Sequence, residues 1–379
     1  MHTIDTNPLL LTREKPSDRL RGRHFDRAPF LVIWEITRAC DLACRHCRAS
    51  AQPERNPLEL STEEGFALEE EVRRFGRPLF VLTGGDPLKR GDVFDLIAHA
   101  HRIGLRVSLS PSGTPLLTTQ ALARAKEAGA EAVSISIDGA TSQSHDSFRG
   151  VNGSFRWCVE GAKAAARVGL TLQINTTVTR FNVGELEDLA QLVEALGARR
   201  WSLFFLVPTG RGDLRDEISA SEYESVLNWL YDLSGRVSFR VKTTEAQHYR
   251  RVSLQRLSRD TGVPVDVLLK ESSSGKGRFL PGINSGKGFV FVSHTGDIYP
   301  SGFLPLRVGN VRSDSLVEVY RNHPLMKALR EPGNLKGRCG KCEFRAVCGG
   351  SRARAYAVHG DPFAEDPFCN YIPRGDAHE

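Results

Sequence analysis

The 379-residue sequence predicts an α/β fold built on a parallel sheet, and three observations predict it. Short β-branched runs alternate with segments of helical period, the helical segments end at glycines, and the runs are apolar enough to be buried on both faces. The expected strands cover residues 30–37, 79–83, 106–110, 132–138, 171–179 and 201–207. Between them, Ser61 with Glu64 forms a capping box, and Gly76, Gly104, Gly129, Gly169 and Gly197 stand where helices should end. A partial barrel and an open sheet both fit this order. In either, chemistry belongs at the carboxyl ends of the strands, where the βα loops gather.

The alternation stops near Glu245. The expected organisation is an N-terminal arm over 1–29, the α/β core over 30–245, a linker over 246–287 and a C-terminal module over 288–379. Ser272, Ser273, Ser274, Gly275, Lys276 and Gly277 give the linker its flexible composition. The module opens with a hairpin pattern turning at Thr295-Gly296-Asp297, continues through one helix over 315–330 and ends in a cysteine-rich tail.

The formal charge of +6 is scattered, and only Arg21, Arg23 and Arg27 make a short basic arm, so no nucleic-acid partner is expected. The apolar runs are too short to span a bilayer and the N-terminus shows no apolar signal segment, which predicts a cytoplasmic protein without a membrane partner. In that reducing compartment eight cysteines, seven of them in two groups, read as metal ligands before disulfides.

Cys40, Cys44 and Cys47 follow the first expected strand in C-x3-C-x2-C spacing. A cubane cluster needs four ligands, so three thiols leave one iron open to another molecule. A zinc site completed by His46 or another side chain is the competing reading of the same residues. The triad resembles the signature loop of the radical SAM superfamily, which implies a partial (β/α)6 barrel and a [4Fe-4S] cluster that cleaves S-adenosylmethionine to a 5′-deoxyadenosyl radical. His46 fills the position at which that family places an aromatic residue near the adenine. Gly84-Gly85-Asp86-Pro87 resembles the family's Gly-Gly-Glu-Pro motif, whose backbone takes the methionine amine, with Asp86 replacing Glu. The segments Ser134 to Gly139 and His145 to Gly150 are similar to further family motifs. By that resemblance Ser136 meets the ribose side and Arg149 the methionine carboxylate, with Asn175 and the backbone at Leu206 on the ligand wall. Read without the resemblance, these are ordinary polar groups of turns.

Cys339, Cys342, Cys348 and Cys369 supply four thiols, enough to close a cubane or to hold structural zinc. This stretch resembles the SPASM module of radical SAM maturases. Ser301 and Arg352 stand at two of that module's cysteine positions, and the resemblance implies a degenerate module with one auxiliary [4Fe-4S] cluster, either structural or an electron relay. Cys158, alone in a helical pattern, reads as a core residue. The tail further resembles the tetrapyrrole-modifying branch of the superfamily, which alters propionate side chains and draws on a flavodoxin or ferredoxin-type donor. Arg352 and Arg354 would then meet substrate carboxylates, or else pair with Glu365 or Asp366. A peptide maturase is the rival enzyme reading, and a two-cluster electron carrier the non-enzymatic one. No catalytic side chain is indicated.

Overall fold

The protein is described by a computed structural model over residues 25–273 and 282–374. Arg21, Arg23 and the run from Ser274 to Gly277 lie outside these residues. Seven parallel strands follow one another across the sheet: β1 (Leu31–Glu35), β2 (Leu79–Thr83), β3 (Arg106–Leu109), β4 (Ala132–Ser136), β5 (Thr171–Val178), β6 (Arg200–Phe205) and β7 (Arg240–Thr244). The helices between them are α1 (Thr62–Arg73), α2 (Val93–Arg102), α3 (Thr119–Glu127), α4 (Ser142–Arg149), α5 (Ser154–Arg167), α6 (Leu186–Ala195) and α7 (Ala220–Ser234). This is the parallel arc of a partial barrel. One face of each strand packs under the helices, with Trp34, Leu82, Val133, Ile174 and Trp201 in a common core. The opposite, inner face carries small and polar residues, among them Ser108, Asn175 and Ser202.

Local chemistry explains the boundaries. The capping box of Ser61 and Glu64 is formed, and the five helix-ending glycines all adopt positive φ. The seventh strand was not expected from the sequence. Its residues Arg-Val-Lys-Thr-Thr lack a buried position, as befits a charged strand beside the sheet's end.

Residues assigned to a linker instead carry α8 (His248–Thr261) and α9 (Val265–Ser273). The expected hairpin forms as β8 (Phe289–Val292) and β9 (Asp297–Tyr299), followed by β10 (Gly309–Asn310). β8 also pairs in parallel with β1, so the hairpin extends the core sheet to ten strands in the order β10-β9-β8-β1-β2-β3-β4-β5-β6-β7. The single helix expected over 315–330 is two, α10 (Leu316–Asn322) and α11 (Pro324–Ala328). Pro324 lacks an N–H and forces His323 into extended geometry (ψ 132°), which ends the first helix. The short helix α12 (Gly337–Lys341) and then α13 (Arg352–His359) complete the chain.

Candidate active site

Cys40, Cys44 and Cys47 leave the loop that follows β1 and share a small apolar cluster with Leu42, Ala51 and Val151. Distant segments hold the loop. Gly85 N donates to Thr37 O at 2.8 Å and Asp86 N to Ala39 O at 2.6 Å. A Cβ on Gly85 would lie 2.4 Å from Ala39 O, so glycine is required there by the cysteine loop itself. Gly84 is pressed the same way against Thr37 O. The sequence motif thus secures the cysteine loop in addition to any ligand role, and Gly85 O is already engaged by Ser112 Oγ at 2.6 Å.

Asp86 is fully buried. Its carboxylate accepts from Thr114 Oγ1 (2.7 Å) and Leu88 N (3.1 Å), capping the short turn that starts at Pro87. Burial pushes its pKa up. His46 stacks on Phe148 with ring centroids 4.4 Å apart, and its Nδ1 is buried without a partner. Burial lowers its pKa to about 4, so the ring is neutral at physiological pH. Ser136 and Asn175 face each other across β4 and β5. Arg149 forms an ion pair with Asp138, and its Nη1 lies 3.6 Å from Cys44 Sγ. The guanidinium assigned by resemblance to the methionine carboxylate is therefore also a partner of the cluster loop. Leu206 O, on the expected ligand wall, accepts from Arg354 Nε (3.2 Å) and Nη2 (3.1 Å).

Two residues that the sequence did not single out complete the frame. Arg211 donates from its backbone to Cys47 O (2.9 Å), from Nε to Cys44 O (2.9 Å) and from Nη1 to Ala51 O (3.2 Å). Its place in a Gly-Arg-Gly loop just past the end of β6 was the available signal. Glu35, the buried last residue of β1, meets Arg48 at 2.7 Å and His294 at 3.0 Å. Burial opposes its ionisation, but Arg48, the His294 hydrogen bond and Arg38 prevail and hold its pKa at about 2.

The C-terminal thiols of Cys339, Cys342, Cys348 and Cys369 line one cavity with His248, Arg251 and Asp366. Arg352 and Arg354 do not face a substrate. Arg352 is buried and donates to Pro362 O (3.0 Å), Ala364 O (2.7 Å) and, at 3.7 Å, Cys339 Sγ. Arg354 is fully buried between Glu217 and Asp366, both at 3.2 Å. The substrate-carboxylate role is thus overturned; the expected pairing holds for Arg354 with Asp366, whereas Arg352 meets neither Glu365 nor Asp366 but backbone carbonyls, because a buried guanidinium requires that its donors be matched inside the protein. Ser301 is buried and caps a turn by accepting from Phe303 N at 3.0 Å.

The donor pattern tests whether these thiols suit iron-sulfur clusters, whose bridging and cysteine sulfurs are tuned by N–H donors. Leu42 N donates to Cys40 Sγ (3.4 Å), Arg149 to Cys44 Sγ, and Ala51 N to Cys47 Sγ (3.4 Å). In the second group Asp366 N donates to Cys339 Sγ (3.4 Å), and Arg352 Nη2 lies 3.7 Å from the same sulfur. Four of the seven sulfurs, those of Cys40, Cys44, Cys47 and Cys339, accept an N–H. Cys158 stands apart from both groups, donates to Ser136 O at 3.3 Å, and has its pKa pushed by burial to about 12, so it stays a core thiol. The residues fit two thiolate-ligated groups.

Residues 34–193 match the family described as the radical SAM superfamily. The AdoMet-dependent heme synthase of Nitratidesulfovibrio vulgaris is 46% identical over 91% of this chain and 93% of its own length. That of Methanosarcina barkeri is 40% identical, covering 91% and 97%. Mycofactocin maturase MftC of Mycobacterium ulcerans is 32% identical over 90% and 88%. Among solved structures, Streptococcus suis SuiB bound to S-adenosylmethionine superposes with a TM-score of 0.67 at 15% identity, covering 91% of this chain and 78% of that one, a likeness of fold. The chain belongs to the radical SAM superfamily. It is accordingly a radical SAM enzyme, a class that uses a [4Fe-4S] cluster and S-adenosylmethionine. Among the described residues no helix is long and apolar enough to cross a membrane.

Proposed function

We propose that this enzyme modifies the carboxylate side chains of a haem-pathway tetrapyrrole. Cys40, Cys44 and Cys47 hold the cluster that binds S-adenosylmethionine, and Cys339, Cys342, Cys348 and Cys369 hold one auxiliary [4Fe-4S] cluster. The observation that carries the assignment of ligands is the gathering of three thiols on one loop and of four around one cavity. The substrate reading is supported by near full-length relatives at 40–46% identity that are named AdoMet-dependent heme synthase. When bound, the first cluster supplies the electron that cleaves the sulfonium of S-adenosylmethionine.

The chain's own part is orientation and exclusion of water. Gly85, Asp86 and Arg211 fix the cysteine loop from two sides. Leu42, Ala51 and Val151 keep its thiols in apolar surroundings. The stacked, neutral His46 and the facing pair Ser136 and Asn175 form the ligand wall. The reading further places the enzyme in the cytoplasm, reduced by a flavodoxin or ferredoxin-type partner.

Anaerobic reconstitution tests this directly. About eight irons per chain, the content of two cubanes, are expected. Reductant should yield 5′-deoxyadenosine, and Fe-coproporphyrin III should lose mass in its side chains. Bound zinc without cleavage would refute the cluster assignment. Cleavage with no change in the porphyrin would favour a peptide substrate, as the likeness to mycofactocin maturase suggests.

A further inference from the structure

Lys242 sits in the middle of β7, and the pleat fixes the direction in which it points. Val241 packs against the helix-side core, so Lys242 projects from the opposite, inner face. On that face Lys242 stands across from Ser202, Ser202 across from Asn175, and Asn175 across from Ser136. Lys242 therefore closes a row whose other end is the proposed S-adenosylmethionine wall. Three strand spacings separate the ends, about 14 Å along the sheet.

The charge at the Lys242 end has one sign. Lys242 is open to water yet walled in by protein, and its charged neighbours are Arg200 and Arg250. Enclosure, reinforced by these two cations, pushes its pKa down to about 8. Arg200, at the start of β6, is bonded through Nη1 to Gln173 Oε1 at 3.1 Å. Arg250 gives its guanidinium to the carbonyls of Val347 (3.2 Å) and Ile283 (2.9 Å). Among the described residues Lys242 has no carboxylate partner. The sequence from Ser272 to Gly296, which includes Ile283, contains no Asp or Glu. Cations crowded inside a protein without a counter-ion weaken the fold, and an anion entering among them offsets that loss. An ordinary solvated lysine would show neither the enclosure nor the crowding.

The geometry points to Lys242 as a specificity-determining residue that, with Arg200 beside it, seats a substrate carboxylate remote from the carbon under attack. This rests on the tetrapyrrole reading above, since a flat macrocycle with carboxylates on opposite edges is a ligand able to span the row from Ser136 to Lys242. It also supplies the cationic contact that Arg352 and Arg354, matched internally, do not offer.

The test uses holoenzyme carrying both clusters, titrated anaerobically with Fe-coproporphyrin III and with its methyl ester, for wild type, Lys242→Met and Lys242→Arg. Iron content checks that each variant is folded and loaded. Lys242→Met should bind the acid ~10-fold more weakly, the size of one lost charged hydrogen bond, and bind the ester as wild type does. Lys242→Arg should recover most of the affinity, and in turnover Lys242→Met should raise KM far more than it lowers kcat. Equal affinity of wild type and Lys242→Met for the acid overturns the seat and leaves the tetrapyrrole reading standing. Failure of wild type to bind either compound removes that reading, and the seat with it. Should Lys242→Met not load iron, wild type alone decides. A preference for acid over ester that fades as pH rises above about 8 supports the seat, and a preference indifferent to pH overturns it.

Discussion

The two cysteine groups solve one problem in opposite ways. The first places three thiols on a single short loop whose shape is imposed from outside, by Gly85 and Asp86 after β2, Arg149 at the end of α4 and Arg211 after β6. The second gathers Cys339, Cys342 and Cys348 with Cys369 from across α13 around one cavity, where Asp366 N donates to Cys339 Sγ. Each group receives one arginine at a sulfur, Arg149 at Cys44 and Arg352 at Cys339. The difference teaches where exchange is possible. Three thiols would leave a cubane one iron open to another molecule, whereas four thiols would close theirs off.

The largest test of this contrast removes each group in turn. Alanine at Cys40, Cys44 and Cys47 together should abolish 5′-deoxyadenosine formation and halve the iron from about eight to about four per chain. Alanine at Cys342 and Cys348 should cost the same iron yet leave some cleavage of S-adenosylmethionine, while ending product formation. Next in size is Arg354→Met, which removes the buried cation shared by Glu217 and Asp366 and should destabilise the fold by about 3–5 kcal/mol, read as a fall in Tm.

Glu35→Gln tests the tie between the cysteine loop and the hairpin. The folded pKa of Glu35 lies below its unfolded value, so its contribution is complete above about 4.5 and is lost as pH falls toward about 2. The wild-type denaturation midpoint should therefore drop between pH 5 and pH 3 more steeply than that of the variant. The smallest effect has the opposite sign. The pKa of Lys242 is depressed by folding from 10.5 to about 8, a penalty fully present below pH 8 and relieved as pH rises toward 10.5. Lys242→Met should thus slightly raise the Tm of ligand-free protein at pH 7 while weakening substrate binding, a trade between stability and function.

What could be read in advance followed how local each feature is. The six apolar strands, the capping box at Ser61 and the glycine helix ends are set by neighbours in sequence, and they form where the pattern places them. β7 escaped because Arg240 and Lys242 break the apolar run that marks a buried strand, and the chemistry that matters there comes from its cross-strand partner Ser202 and from Arg200 and Arg250. Arg352 and Arg354 were legible as cations, but their partners Pro362, Ala364, Glu217 and Asp366 meet them only once α13 has packed. The Gly-Gly-Asp-Pro motif was legible through its resemblance to a family motif, although its grip on Thr37 and Ala39 needs two strand ends side by side.

The pairing of β8 with β1 has a consequence for how the chain is made. Glu35 and His294 meet across 259 residues, and β1 borders β8 along four positions from Leu31 to Trp34. A polypeptide leaving the ribosome N-terminus first therefore exposes one edge of its first strand, with the cysteine loop behind it, until most of the chain has been synthesised. Contacts of such long range form late and slowly. A nascent chain cut before β8 would carry Gly85, Asp86, Arg149 and Arg211 to frame the loop, but would lack the strand beside β1 and the bond from His294 to Glu35.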